Sequence, residues 1–215
     1  MKTRVVIADD QAGVRQGFRH ILSAQPDMEV VAEAANGLAA LETVRALQPD
    51  VLLVDIRMPE LDGLEVTRRL AETAPEVKVV VVTTFDLDEY VHAALRNGAS
   101  GFLLKQAGPT LLTEAVRSAV VGDSLISPRI TTRLLHHFTG RGRADRALAE
   151  PLTSREKEVA VLVAEGLTNA DIGAELFISP STVKSHLGNL QRKLRARNRV
   201  GIAAWAWESG LAGRG

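Results

Sequence analysis

The chain has 215 residues, no cysteine, and 26 Lys+Arg against 26 Asp+Glu. That length fits one large domain or two ordinary ones, and the absence of cysteine excludes disulfides, thiolate metal sites and cysteine nucleophiles. No apolar run approaches a membrane span, and the four apolar residues after Met1-Lys2-Thr3-Arg4 are too few for a signal-peptide core. A cytoplasmic protein without membrane attachment is expected. The balanced charge is unevenly placed. Residues 1–120 carry 12 basic and 17 acidic residues, whereas 184–199 holds Lys184, Arg192, Lys193, Arg195, Arg197 and Arg199 with no acid. An acidic front and a locally basic back suggest two functions on one chain.

In the front half, short apolar runs alternate with helical patterns. Strands are expected at Val5–Ala8, Val30–Ala32, Val51–Val54, Val77–Val82 and Gly101–Leu104. Helical spacing marks Gly13–Leu22, Gly37–Leu47, Leu64–Ala71, Tyr90–Leu95 and Pro109–Val121. Continuous apolar strands alternating with helices predict a parallel sheet covered on both faces, with right-handed crossovers. No G-x-G-x-x-G follows the first strand, which argues against a dinucleotide fold.

The strands end in polar groups. Asp9-Asp10 follow the first, Asp55 the third, Thr83 the fourth and Lys105 the fifth. With strand order 2-1-3-4-5, strands one and three are neighbours and the chain reverses there, where ligands of such sheets bind. Three carboxylates in one crevice repel unless a cation or proton compensates them. Oxygen ligands of this kind suit Mg²⁺ together with a phosphate. Helix capping is the plainer role for Asp9 and Asp10, but capping does not account for the polar ends of the third, fourth and fifth strands.

On Asp9-Asp10, Asp55 with Met58-Pro59 and Gly63, Thr83, and Gly98-Ala99-x-Gly101-Phe102-Leu103-Leu104-Lys105, residues 1–121 resemble the receiver domain of a two-component response regulator. The resemblance implies a flavodoxin-like, doubly wound α/β fold with Asp55 as phosphoacceptor, phosphorylated by a sensor histidine kinase. It implies Mg²⁺ on Asp9, Asp10, Asp55 and the backbone carbonyl of Arg57. Thr83 and Lys105 would bind the phosphoryl oxygens. Phe102 stands where the family often has a switch tyrosine, and it would turn into space vacated by Thr83. Gln106 stands where many relatives have proline.

Residues 122–150 read as a linker with a short helix. The helix starts at Ile126-Ser127-Pro128 and carries Ile130, Leu134, Leu135 and Phe138, followed by the small, charged stretch 139–146. Adjacent His136 and His137 point about 100° apart on a helix and chelate poorly. From residue 151 three helices come in quick succession. Thr153-Ser154-Arg155-Glu156 is a capping box, Thr168-Asn169-Ala170-Asp171 a related one, and Ser179-Pro180 caps the third. On that third helix Val183, Leu187, Leu190 and Leu194 form a buried stripe. Lys184, Ser185, Gly188, Gln191, Arg192 and Arg195 lie opposite. A short helix, a tight turn and a longer helix with a basic face make a helix-turn-helix. Val200–Trp207 reads as a fourth helix with Trp205 and Trp207 as packing residues.

Residues 152–211 resemble the LuxR-type DNA-binding domain. The resemblance rests on Leu152-Thr153-x-Arg155-Glu156-x-Glu158-Val159, Glu165-Gly166-Leu167-x-Asn169, Ser179-Pro180-x-Thr182-Val183-Lys184-x-His186 and Lys193-Leu194. It implies that the third helix enters the major groove, with Thr182, Val183, Lys184, Ser185, His186, Gly188, Arg192 and Lys193 as the DNA-binding set. Gly173 replaces a common alanine, and Gly188 stands where relatives often carry a larger side chain.

Together these readings describe a NarL/FixJ-type response regulator, with a five-stranded parallel receiver domain and a smaller all-α helix-turn-helix domain at 151–215. Its expected partners are a sensor kinase, double-stranded DNA in paired half-sites, a second copy upon phosphorylation, and RNA polymerase as a candidate. One rival works without phosphate in the same architecture. Another is a Mg²⁺-dependent phosphohydrolase, but such enzymes usually need a second Asp two residues past the nucleophile, and position 57 is Arg.

Overall fold

The computed structural model describes residues 2–85, 88–123, 125–126 and 150–212. The expected helix beyond Ile126, with His136 and His137, and the stretch 139–146 lie outside the described residues. Contacts divide the chain into two units, one of residues 2–120 with 125–126, the other of 121–123 with 150–212.

The first unit alternates strands and helices: β1 Thr3–Ala8, α1 Ala12–Ser23, β2 Met28–Ala34, α2 Gly37–Leu47, β3 Val51–Val54, α3 Gly63–Thr73, β4 Lys78–Thr83, α4 Asp88–Asn97, β5 Gly101–Leu104 and α5 Pro109–Val121. A two-residue strand, β6 Leu125–Ile126, follows. Every pairing is parallel and the order is β2-β1-β3-β4-β5-β6. The expected order is therefore observed, with one strand added at the edge. Ile126, expected to open a helix, pairs instead with Phe102.

Strand residues alternate between the two faces of the sheet. On one face Val5, Ile7, Val51, Leu53, Val80, Val82 and Leu103 pack with Leu22, Leu112, Val116 and Ala119, under α1 and α5. On the other, Val6, Leu52, Val54, Val79, Val81 and Phe102 are equally buried. Two covered faces make the strands continuous apolar runs and leave their carboxyl ends as the accessible edge.

The second unit holds α6 Ser154–Ala164, α7 Asn169–Glu175, α8 Pro180–Leu194 and α9 Arg199–Glu208. Thr153–Glu156 and Thr168–Asp171 both form reciprocal capping boxes, and the Ser179 side chain caps α8 with Pro180 at the first helical position. Val159, Val163, Ile172, Val183, Leu187, Leu190, Leu194 and Ile202 form its core. The turn between α7 and α8 depends on Gly173, because a Cβ there would lie 2.7 Å from the Ile178 carbonyl oxygen. Trp205 packs on the core. Trp207 is 44% exposed and its indole N–H donates to Ala164 O at 3.2 Å, so only one of the two tryptophans is the packing residue expected.

Candidate functional site

The sheet ladder continues past the strand ends and fixes the polar residues there. Asp9 N–H donates to Ala34 O at 3.1 Å, Asp55 N–H to Ala8 O at 2.9 Å, and Lys105 N–H to Thr83 O at 2.8 Å. Asp9 and Asp55 thus emerge side by side where the strand order reverses. Gly63 closes the loop after Asp55. Its N–H donates to Ile56 O at 2.9 Å, and a Cβ would stand 2.0 Å from the Asp55 carbonyl oxygen. Only glycine admits that approach.

Asp9 is 1% exposed, Asp55 3% and Thr83 fully buried, while Asp10 is exposed. Lys105 reaches into the cluster, with Nζ 2.7 Å from Asp55 Oδ2 and 2.6 Å from Asp9 Oδ2. The ammonium donates to Asp55. Asp9 Oδ2 meets it off the hydrogen-bond direction and is left as a buried oxygen without a hydrogen-bond donor. The two remaining oxygens are turned to backbone. Asp9 Oδ1 accepts from Gln11 N–H at 2.9 Å and Asp55 Oδ1 from Ile56 N–H at 2.7 Å. Neither aspartate at the end of β1 caps α1, whose N-cap is Gln11.

Burial pushes the Asp9 carboxyl above its ordinary range, against the Lys105 ammonium and the Gln11 N–H, which pull it down. Burial would lower Lys105, but the hydrogen bond to Asp55 and the negative charge of Asp55 and Asp9 outweigh it and hold the ammonium above its usual value. One carboxylate oxygen from each of Asp9, Asp10 and Asp55 lies within 4.8 Å of the others. Three carboxylates facing one lysine leave a negative surplus. An all-oxygen donor set, in which buried Asp9 Oδ2 has an ion pair but no hydrogen bond, fits a hard divalent cation. Phe102, by contrast, is fully buried and starts inside the core rather than turning into it.

On α8 the expected face is largely the exposed one. Thr182, Lys184, Ser185, Gly188, Arg192 and Arg195 are exposed, and His186 and Gln191 are half-buried. A Cβ on Gly188 would meet nothing within 4 Å, so its lack of side chain is not a packing requirement. Val183 and Lys193, expected at the DNA, are turned inward instead. Val183 belongs to the core because it shares the helical stripe of Leu187 and Leu190. Lys193 Nζ lies 2.7 Å from Glu156 Oε2 and 3.3 Å from Pro151 O, nine-tenths buried. Arg199 is likewise internal, donating to Asn169 Oδ1 at 2.8 Å and to Leu167 O. Arg192 is 58% exposed but engages Glu150 at 2.7 Å. The basic stretch is therefore narrower at the surface than in the sequence.

Sequence reasoning missed one feature beside the crevice. Arg57 donates to the Tyr90 hydroxyl and stacks on Phe85 and Tyr90.

Comparison with known proteins agrees with both halves. Residues 5–117 match the response regulator receiver domain, and residues 150–206 match the bacterial regulatory proteins of the luxR family. The chain is 38% identical over 212 residues to the uncharacterized transcriptional regulatory protein YxjL of Bacillus subtilis, covering 98% of this chain and 97% of that one. It is 39% identical to the oxygen regulatory protein NreC of Staphylococcus carnosus, covering 97% and 98%. Among solved structures it resembles the response regulator ChrA of a heme-sensing two-component system, at 34% identity and TM-score 0.54 over 98% of both chains. It also resembles RcsB in a structure of two dimers bound to two parallel DNAs, at 26% identity and TM-score 0.58 over 97% and 99%. These relatives are regulators rather than enzymes, which sets the phosphohydrolase reading aside. A receiver crevice on one unit and a LuxR-type helix-turn-helix on the other place this chain in the family of DNA-binding two-component response regulators.

Proposed function

We propose that Asp55 is the phosphoacceptor, that a sensor histidine kinase is the donor, and that the acyl phosphate formed switches DNA binding by α8. The observation that carries this is the Asp9–Asp55–Lys105 cluster, with Lys105 Nζ within 2.7 Å of both carboxylates. The bond between phosphorus and the donor nitrogen breaks as one between phosphorus and an Asp55 carboxylate oxygen forms. A carboxylate is a weak nucleophile, but the transition state is loose, so positioning and charge neutralisation do most of the work. Lys105 offers its ammonium to the phosphoryl oxygens in exchange for the Asp55 contact. Thr83, at the end of β4, offers a hydroxyl donor. Asp9, Asp10 and Asp55, with the backbone carbonyl of Arg57, would hold Mg²⁺. When bound, the ion would supply positive charge that offsets the carboxylates and the incoming phosphoryl group.

The exposed outer face of α8 is the major-groove reader, with Thr182, Lys184, Ser185, Gly188 and Arg192 at the DNA. One helix-turn-helix reads few base pairs, so useful specificity calls for two copies on paired half-sites. The DNA-bound dimers of the similar RcsB structure support that arrangement. No helix among the described residues is long and apolar enough to cross a membrane, in keeping with a cytoplasmic regulator.

Intact-mass measurement after treatment with acetyl phosphate and Mg²⁺ tests the first step. One phosphoryl group is expected on the wild type, and none on Asp55→Asn or after chelation of the metal. Undiminished labelling of Asp55→Asn would overturn the assignment. For the DNA step, Lys184→Ala should weaken binding and flatten the log–log salt dependence by about 1 if that lysine neutralises one phosphate. Unchanged binding to both specific and random DNA would remove α8 from the interface.

A further inference from the structure

Two loops rim the phosphoacceptor crevice, and one side chain joins them. Arg57 lies two residues past Asp55, and Phe85 lies two residues past Thr83. The Arg57 guanidinium carbon stands 5.4 Å from the centre of the Phe85 ring and 5.5 Å from that of Tyr90. It also donates a hydrogen bond to the Tyr90 hydroxyl. The two rings meet edge to face, 6.0 Å apart at 70°. This is a cation held over two aromatic faces, the arrangement that ring quadrupoles favour. Phe85 is in turn tied to the crevice, because its N–H donates to Thr83 Oγ1 at 3.4 Å.

We propose that Arg57 is a positioning residue for the Thr83 hydroxyl. A threonine hydroxyl has one proton and two lone pairs. With a lone pair taken by the Phe85 N–H, the proton is directed elsewhere, and the crevice holds the acceptors that need it. Arg57 clamps the Phe85 ring against the start of α4, so the Phe85 N–H stays where it orients Thr83. Without the guanidinium, Phe85, a residue 38% exposed, loses the cation over its ring. The hydroxyl then samples orientations in which its proton faces away from a phosphoryl oxygen. This inference rests on the reading of Asp55 as phosphoacceptor.

The probe is fluoroberyllate, a phosphoryl mimic, bound to the full chain at saturating Mg²⁺ and followed by its ¹⁹F signal. Arg57→Ala should weaken fluoroberyllate by up to about tenfold, the worth of the one Thr83 hydrogen bond whose donor is no longer held in place. Tyr90→Phe, which keeps the ring and drops the hydroxyl, should weaken it less. The deciding measurement is the double-mutant cycle with Thr83→Ala. If Arg57 acts through Thr83, Arg57→Ala adds nothing in a Thr83→Ala background. Losses that simply add, or wild-type affinity in Arg57→Ala, overturn the inference while leaving Asp55 as the acceptor. Tyr90 is the single tyrosine of the chain, so fluorotyrosine gives a second readout at one position. Its resonance should shift when fluoroberyllate binds, and an unmoved resonance overturns the coupling. Fluoroberyllate binding equally well to Asp55→Asn overturns the phosphoacceptor reading, and this inference with it.

Discussion

Each unit buries a lysine against carboxylates, and the two sites are built to opposite ends. In the second unit Lys193 meets one acid, Glu156, at 2.7 Å, and both are almost wholly buried. Among the described residues no buried side-chain polar atom of this pair lacks a hydrogen-bond partner. Glu156 Oε2 also accepts the Thr153 N–H at 2.8 Å, and Lys193 Nζ reaches Pro151 O at 3.3 Å. In the first unit Lys105 is as buried, but it faces two carboxylates with Asp10 beside them, and one buried Asp9 oxygen lacks a hydrogen-bond donor. A matched buried pair holds a fold together. An unmatched one holds charge in reserve for a ligand that is not part of the chain. Breaking the first should cost stability, whereas breaking the second should cost function and return stability.

The largest expected effect is on the matched pair. Glu156→Ala strands a buried ammonium and also removes one half of a capping box, so the second unit should lose about 3–5 kcal/mol. Both tryptophans of the chain, Trp205 and Trp207, lie in α9, so urea unfolding followed by tryptophan fluorescence reads this unit. Replacing both partners, as Glu156→Gln with Lys193→Met, should recover much of the loss, because no unpaired charge remains. Burial opposes ionisation of Glu156, but Lys193 and the Thr153 cap outweigh it and keep the carboxyl below 4.5. A depressed carboxyl contributes stability above its unfolded value and loses it as pH falls through the folded one. The fluorescence midpoint should therefore drop as pH goes below about 4.5, and this drop should be shallower in Glu156→Gln. A pH-independent midpoint would mean the pair is not the staple described.

The unmatched site should respond in the opposite sense, and more weakly. Asp9 is raised above 3.8, chiefly by burial. Its ionisation thus costs the fold, and stability attributable to it falls as pH rises through the folded value. Asp9→Asn should stabilise the first unit at neutral pH by about 1–2 kcal/mol, seen as a higher thermal midpoint by circular dichroism, and lose phosphate uptake. A destabilised Asp9→Asn would mean the Lys105 contact outweighs the repulsion among the acids, and the contrast between the sites would collapse.

Much of this contrast was legible in the sequence, and the limits have physical causes. Asp9, Asp55, Thr83 and Lys105 stood out because doubly covered strands are unbroken apolar runs, so a polar residue marks each strand's end. The caps at Thr153, Thr168 and Ser179 were equally plain because their signals are local. Lys193 was misplaced at the DNA because it flanks the apolar stripe, three residues after Leu190. Its partner Glu156 is 37 residues away and shows in no periodicity. Arg57 and Tyr90 are 33 residues apart and meet only once β3 and β4 pair. Strand β6 carries two residues, too few for any pattern. The ends of α4 ran two residues past expectation on each side, because polar first and last turns lack the apolar spacing by which a helix is read.

The smallest expected effect concerns the turn of the helix-turn-helix, where the second unit keeps a cost outside its staple. Phe177 is 94% exposed and sits at φ 55°, in the left-handed region. It ends α7 as the residue just past the C-cap. Ile178 N–H donates to Gly173 O at 2.9 Å and Phe177 N–H to Ala174 O at 3.4 Å, the paired bonds of a Schellman motif. Glycine is the usual residue there, because a Cβ in this conformation crowds the backbone by about 1–2 kcal/mol. Glycine also gains freedom in the unfolded chain, which returns part of that difference. Phe177→Gly should therefore raise the stability of the second unit by about 0.5–1 kcal/mol, read from the same tryptophan-monitored unfolding. Phe177→Ala separates ring from backbone, since it removes the phenyl group and keeps the strained Cβ. It should leave the midpoint near wild type. A lower midpoint in both variants would show that the phenyl ring contributes more than its backbone costs. The turn would then belong with the matched pair as a stabilising element.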